Sequence, residues 1–445
     1  MLVLLFWSTL SAAAETGGRL QSNFRLGIQC EGGCPWLNFE DSLIWQPHLR
    51  SSPSPNVRLR IEPQLRVYAS PLLTDIDESQ SQYALQPFDL QPVVLSLSHQ
   101  AAYWKNTVGY QRMAWGVGTG MRVLDNINPF DLRDPTRFDQ RLSVPMWRSQ
   151  ITGQKAGVDF AFVPIHTPAR LPRTTVSLLP DAKTLFDAGE DAPPLDIRDA
   201  RGSILAPDRT LPNSQTAVRG FWVGRRTDIG LSWFHGFDSL PQADGTFMLT
   251  GFQTDSDRVD VGIPLTYPRL DIVGLDLKTQ LPASILAWAE LGLFLPAQTT
   301  VTASESQLNA LVTLGALDAV PDPLPVVDTQ DGEPYLRWIV GAERLIGPVY
   351  LNLQWLHGFP TERCNDELKD YGLWLVHYNP IPELRLESSG ATDAEGIWLS
   401  GGILAILDDS WEIGVHGIWI EGPNTSSLAF LSDASQVRLQ VGTSY

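Results

Sequence analysis

The sequence predicts an all-β chain closed into a transmembrane antiparallel β-barrel of about 16 strands, within a range of about 14 to 18. Three observations predict it: an alternating run from Val57 to Ala69, hairpins whose joints are alternately short and long, and an alternating strand that carries the chain to its last residue, Tyr445. Successive strand side chains point to opposite faces, so each run offers one face to hydrocarbon and the other to water.

From the N-terminus, Leu2 to Leu10 are apolar and Ser11-Ala12-Ala13-Ala14 offers small residues for cleavage, so residues 1–14 are read as a signal peptide. Residues 15–55 are expected as a periplasmic or lumen-plugging segment, with Arg19 to Gln29 as a further strand in the other reading. Cys30 and Cys34 lie close enough in Cys-Glu-Gly-Gly-Cys to join in an oxidising periplasm, leaving Cys364 unpaired. With no histidine nearby a metal site is the weaker reading of that pair, and no cofactor is implied.

The barrel is expected over residues 56–445. In Val57–Ala69 the odd positions are apolar apart from Pro63, and the even ones are Arg58, Arg60, Glu62, Gln64, Arg66 and Tyr68. That length suits a tilted membrane strand of about 9 to 11 residues better than a globular one of about five or six. Similar segments recur at Val218–Arg226, Asp228–Phe237, Val273–Lys278, Ile285–Leu295, Leu336–Glu343, Val349–His357, Ile397–Leu407 and Ile413–Glu421. Short joints such as Pro282-Ala283-Ser284 and Gly347-Pro348 face the periplasm in such barrels, and long loops face outward. Residues 165–215 form the longest unpatterned stretch and fall outside by this parity. Trp233-Phe234-His235-Gly236-Phe237 and Trp355-Leu356-His357-Gly358-Phe359 echo one another at the outer rim, where tryptophan suits the bilayer interface.

A net charge of −18 argues against nucleic acid as a partner, since phosphate contacts need clustered Lys and Arg. Mean hydropathy is −0.07, ordinary both for a soluble chain and for a barrel with one wet face. Past the signal, no run reaches the roughly 18 apolar residues of a membrane helix.

In Val437-Arg438-Leu439-Gln440-Val441-Gly442-Thr443-Ser444-Tyr445, Val437, Leu439, Val441 and Tyr445 suit lipid, with Thr443 a departure, and Arg438, Gln440 and Ser444 suit water. This ending resembles the closing strand of Gram-negative outer-membrane barrels, whose barrel-assembly machinery reads a C-terminal aromatic. Outer-membrane lipid and lipopolysaccharide are then the surrounding partners.

One stretch carries a more specific resemblance. Trp115-Gly116 ends a strand, Arg122-Val123-Leu124-Asp125 makes a turn, Asn128-Pro129-Phe130-Asp131 makes a step, and Arg141 to Pro145-Met146-Trp147 begins the next strand. This resembles a family of porin-like outer-membrane proteins classed as a domain of unknown function, with Met146 in place of the family's leucine. Weaker likeness continues at Val163-Pro164, Gly236 to Pro241, Tyr267-Pro268-Arg269, Glu290 and Asn352 to Trp355. The resemblance implies passage of apolar or amphipathic small molecules, beside a periplasmic lipid-carrier protein and an inner-membrane exporter.

Physically, Gly116, Gly118 and Gly120 permit a sharp departure from the strand and Asn128-Pro129 a rigid turn. The loop is expected to fold inward, with residues 118–141 as a constriction carrying Arg122, Asp125, Asn128, Asp131, Arg133 and Asp134. In the plainer reading Asp125 and Asp131 cap turns and pair with these arginines. Arg58, Arg60 and Arg66 form an inward basic ladder, joined by Glu290, Asn352 and Gln354; these either set the field on passing solutes or pair with carboxylates across strands. No catalytic residue is assigned. An outer-membrane hydrolase using His235 or His357 is the rival class, but no Gly-x-Ser-x-Gly elbow or His-Glu-x-x-His helix accompanies them. A plugged structural or adhesive barrel is the other alternative to a channel.

Overall fold

The computed structural model describes residues 14–27, 42–68, 88–132, 140–170, 196–253, 258–313, 319–320, 322, 324, 326–408, 410–422, 428 and 435–445. Cys30 and Cys34, with Arg133 and Asp134, lie outside them.

Alternation of side chains produces the wall. It begins with β1 (Ala14–Gly27), β2 (Ser42–Ser54), β3 (Val57–Tyr68), β4 (Phe88–Gln100), β5 (Trp104–Gln111), β6 (Val144–Thr152) and β7 (Ala156–Val163). After β8 (Asp196–Ile204), which lies outside the wall, β9 (Gln215–Val223) and β10 (Thr227–Phe237) continue it. The loop that follows holds β11 (Gln242–Ala243), β12 (Gly245–Thr246), β13 (Met248–Gln253) and β14 (Arg258–Thr266). The wall resumes with β15 (Arg269–Leu281) and β16 (Ile285–Pro296), and another loop carries β17 (Thr299–Thr302), a helix Glu305–Thr313 and β18 (Val326–Gln330). It ends with β19 (Tyr335–Ile346), β20 (Val349–His357), β21 (Asp370–Ile381), β22 (Leu384–Thr392), β23 (Ile397–Ile406), β24 (Trp411–Glu421) and β25 (Gln436–Ser444).

Eighteen strands form this wall, each antiparallel to its neighbours, and β25 pairs with β1 from Arg19↔Ser444 to Gly27↔Gln436, so no edge is left open. The closure is tight: the Gly18 and Tyr445 backbones exchange hydrogen bonds of 2.9 and 3.0 Å, and a Cβ on Gly17 would lie 2.7 Å from the Tyr445 carbonyl oxygen. The Trp45 indole donates to the Tyr445 hydroxyl at 2.7 Å.

The count is two above the expected 16 and within its range. Residues 15–55 were expected as a periplasmic or plugging segment, with Arg19 to Gln29 as a strand in the other reading; they supply β1, which overlaps that strand, and β2, and these pair with each other and with β25 and β3. Their alternation is diluted by Gly17-Gly18 in β1 and by Pro47 and Ser51-Ser52-Pro53-Ser54 in β2, so the pattern marks only the second half of β1 and does not mark β2.

The ends of the cylinder are unequal. Residues 55–56, 101–103, 153–155, 224–226, 282–284, 347–348 and 382–383, and the step from β23 to β24, make short joints at one end. The other end carries every long connection, with 393–396 its one short joint. There β8, β11, β13 and β14 form one small sheet and β12, β17 and β18 another.

The exterior is greasy: Leu97, Val108, Leu231, Leu275, Leu353, Trp355, Val415 and Leu439 are all exposed large apolar side chains. In the interior some charged groups are matched in pairs, such as Arg148 with Asp159 and Arg219 with Asp276 (2.7 Å). Burying these two pairs is tolerable because each charge meets its opposite. Toward the long-loop end the interior turns apolar: Phe234, Ile272, Trp288, Phe294, Ile339, Leu356, Ile418 and Ile420 form one cluster around Met113, Trp115, Val123, Leu124 and Ile127 of the segment 112–143.

Candidate constriction and passage

Residues 112–132 and 140–143, between β5 and β6, turn into the lumen. Asn128 staples its base: Oδ1 accepts the Met113 N–H at 2.8 Å, and Nδ2 donates to the Leu142 carbonyl at 2.8 Å and the Gln111 carbonyl at 3.3 Å. Gly116 and Gly120 take φ of +91° and +81°, a region costly for other residues, and so let the chain swing off the strand.

Across the lumen the tip meets Glu290 of β16. Oε1 accepts the N–H groups of Val117 and Gly118 at 2.7 Å each, and Oε2 accepts those of Val123 and Leu124 at 2.8 and 3.1 Å. Four convergent backbone donors make an anion nest filled by the wall's own carboxylate. Beside it, the Thr119 hydroxyl donates to Glu343 at 3.0 Å and Gln354 donates to the Thr119 carbonyl at 2.6 Å. Glu343 also accepts from the Tyr350 hydroxyl (2.6 Å) and Asn352 (3.1 Å). The apolar tip and this polar clasp hold the loop against β16, β19 and β20.

The other expected residues fall into separate roles. Arg122 folds back to donate to the Gly118 carbonyl at 2.9 Å. Asp125 is buried, with Oδ2 4.0 Å from Arg141 Nε and Oδ1 without a hydrogen-bond partner among the described residues. Arg60 and Arg50 converge on Glu62 at 3.0 and 3.3 Å, so that rung of the ladder is neutralised, and Arg58 stands nearer the short-joint end.

On the side away from Glu290 a gap of about 210 Å³ remains between the loop and the wall of β25, β1, β2, β3 and β4. Arg66 and Asp131 line it, together with Arg19, Gln46, Gln64, Gln91, Arg112, Arg141 and Arg438. Most of these carry no local sign of lining a passage, because β1 and β25 meet only through closure and Arg112 and Arg141 sit at the two ends of one loop. Arg438 and Gln64 carry a local signal, the inward register of their strands.

A closed antiparallel barrel with an even strand number, an apolar exterior and a polar, loop-narrowed lumen is an outer-membrane, porin-like architecture. Among solved structures, Acinetobacter baumannii OccAB3 superposes with a TM-score of 0.51 at 8% identity, over 97% of this chain and 98% of that one. Pseudomonas aeruginosa OccK9 (OpdG) gives 0.50 at 9% identity and Acinetobacter baumannii OccAB4 gives 0.50 at 7%, each over 98% of both chains. These are Occ-type outer-membrane porins, and at such identity the likeness is one of fold. No protein-family model matches the chain, and no curated protein matches it in sequence.

Proposed function

We propose that the protein is a passive channel of the Gram-negative outer membrane that passes small solutes through the gap between the segment 112–143 and the β25–β4 wall. The observation that supports this reading is the gap itself, polar and lined by Arg19 of β1, Arg66 of β3 and Arg438 of β25, while the opposite side of the loop packs against the wall. Of the solutes the family resemblance implies, amphipathic ones suit this wall better than wholly apolar ones, which would strip the guanidinium groups of water with no return. Association with a periplasmic lipid carrier and an inner-membrane exporter rests on the resemblance between Trp115 and Trp147 alone.

The reading treats the chain as a channel without hydrolytic activity. His235 pairs with Asp271 and His357 with Asp370, each at 3.0 Å, but both pairs stand on the outward faces of β10 and β20, beside exposed Trp233 and Trp355. Planar-bilayer recordings test the proposal: unitary conductance in the wild type, enlarged by deleting residues 122–138, supports it. Silence in both proteins would point to a plugged structural barrel, and detergent-dependent hydrolysis lost in His235→Ala or His357→Ala to an enzyme.

A further inference from the structure

Between β2 and β3 the wall loses its ladder at one height. Rungs are made at Trp45↔Leu65 and at Leu49↔Ile61, and that register sets Pro47 opposite Pro63 with no rung from Gln46 to His48. Residues facing each other as a hydrogen-bonded antiparallel pair exchange two N–H···O bonds, and proline has no N–H to give. Both bonds are missing here. Pro47 keeps its pairing with Gly18 of β1 and Pro63 its pairing with Pro92 of β4, so the absent donors of both prolines belong to the same seam. From Trp45 to Leu49 the seam runs about 13 Å, at about 3.3 Å per residue. Prolines in a sheet belong at its edges, and in hydrocarbon an unmet backbone carbonyl is costly, so two facing prolines inside a closed wall call for a reason.

The strand beside the seam is loosely held on its far side too. The β3–β4 ladder shifts register between Glu62 and Pro63, with Val93 as the extra residue, and such a bulge bends its strand and interrupts pairing. β3 can therefore swing from β2 at Pro63 without breaking a backbone hydrogen bond between them. On the outer face Trp45 and Leu95 are exposed beside the seam. On the lumen face Ile44, Gln46, Gln64 and Val93 line the gap, with Leu142 lining it from the loop. One layer of backbone, unlaced at this height, separates the gap from the hydrocarbon.

We propose that this seam is a lateral portal, through which an apolar group the width of an acyl chain passes between the gap and the hydrocarbon of the membrane. Its height is set by Gly18, which faces Pro47 and exchanges backbone hydrogen bonds with Tyr445, where the chain ends on the short-joint side. The portal opens toward the leaflet on that side. A solute with an apolar tail and a polar head suits the route, since the tail leaves past Trp45 and Leu65 while the head stays beside the Gln46 and Gln64 amides. This adds a sideways exit to the axial passage, and it rests on the channel reading above only for how the solute arrives.

The test uses the full-length protein in liposomes of phosphatidylcholine in which one acyl chain ends in a diazirine, with labelled residues mapped by mass spectrometry after illumination. Expected is label on outward-facing Trp45 and Leu95, and also on Ile44 and Leu142, which a lipid-borne chain reaches only by entering the gap. Pro47→Val with Pro63→Val supplies both missing N–H groups and should lower the label on Ile44 and Leu142 severalfold, leaving that on Trp45 and Leu95 unchanged. If that double variant does not give a heat-modifiable barrel, Pro63→Val alone, which restores one of the two bonds, should lower it in part. Wild-type label confined to Trp45 and Leu95 would overturn the portal and leave the channel intact. Label on Leu142 that is equal in the wild type and the valine variants would overturn the seam as its route. Conductance of the same preparations in planar bilayers judges the channel separately: its absence would overturn the channel reading, and the labelling would still decide the portal.

Discussion

The backbone N–H of Gly118 lies 2.7 Å from Oε1 of Glu290, across the lumen and 172 residues away in sequence. Glu290 is thereby an anchor for the loop and not a group facing solute. In Glu290→Gln one oxygen still accepts two N–H groups, but the amide nitrogen confronts two donors with a third. Hydrogen bonds to a charged acceptor contribute about 1.5–3 kcal/mol each, so the closed position of the loop should weaken by roughly 3 kcal/mol or more. Single-channel recording should show a larger and noisier conductance than in the wild type. An unchanged trace would refute the anchoring role.

Gly116 and Gly120 separate two causes of the same defect. Both have positive φ, which costs a residue with a Cβ about 1–2 kcal/mol. At Gly116 the added Cβ would also run into the Glu290 carboxylate, whereas at Gly120 nothing lies within 4 Å. Gly116→Ala should therefore reproduce the Glu290→Gln phenotype and Gly120→Ala only a mild form of it. Protease protection of the loop, measured in the two variants, should fall in that order.

How far the sequence discloses this arrangement differs from element to element. β3 and β25 are legible because one face meets hydrocarbon and the other water, which writes a period of two into the chain. β1 is legible only from Arg19 on, because closure against Tyr445 demands glycine at positions 17 and 18, and β2 is not, because Pro47 and Ser51-Ser52-Pro53-Ser54 interrupt its alternation. The inward fold of the loop is legible in its glycines and in Asn128-Pro129. The acceptor role of Glu290 is not: it depends on which strand comes to stand opposite, a consequence of strand number and closure that no local pattern contains. The arginine-lined gap is hidden for the same reason, since Arg19 and Arg438 come together only when the last strand finds the first.

Asn128 offers a sharper test of the loop's base. It satisfies one buried N–H and two buried carbonyls, so Asn128→Ala leaves three backbone groups without their partner. Each unsatisfied buried group costs about 1–3 kcal/mol, and the loop should detach from the β5–β6 junction. Asn128→Asp keeps the acceptor for Met113 but sets a carboxylate against two carbonyl oxygens, and should be no better. Hydrogen exchange should show the Met113 amide losing protection in Asn128→Ala, and the Leu142 amide, which donates to the Pro129 carbonyl at 2.8 Å, losing it in both variants as the base of the loop opens, while the amides of β19 and β20 keep theirs.

His166 gives the outer rim a dependence on pH. Its ring is packed between Phe237 and Tyr267, with centroids 5.3 and 4.8 Å away, and burial pushes its pKa down from 6.5 to about 4, against the opposing pull of Asp238. The folded state thus binds its proton less readily than the unfolded one. The stability that neutral His166 contributes is fully present above about pH 6.5 and is lost as pH falls toward 4. Proteolysis of the segment around residues 164–169 should accelerate over that window. His166→Phe, which cannot titrate, should remove the acceleration; a dependence that persists in it would assign the effect to another group.

The two echoed motifs are built alike. Trp233 and His235 both reach Oδ1 of Asp271, at 3.2 and 3.0 Å, and Trp355 and His357 both reach Oδ1 of Asp370, at 3.1 and 3.0 Å. In each case the aspartate is the direct cross-strand partner of the histidine, so the sheet register creates the bracket. Both stand above exposed leucines and valines on the outer face, at the height where amphipathic rings meet head groups, and two N–H donors there make a carboxylate tolerable. Removing the charge in Asp271→Asn with Asp370→Asn should lower the thermal midpoint of the unboiled barrel only slightly, since exposed pairs contribute about 0.2–1 kcal/mol each. Unitary conductance and ion preference should not change, because neither bracket faces the lumen; a shift in either would mean that the outer rim and the passage are coupled.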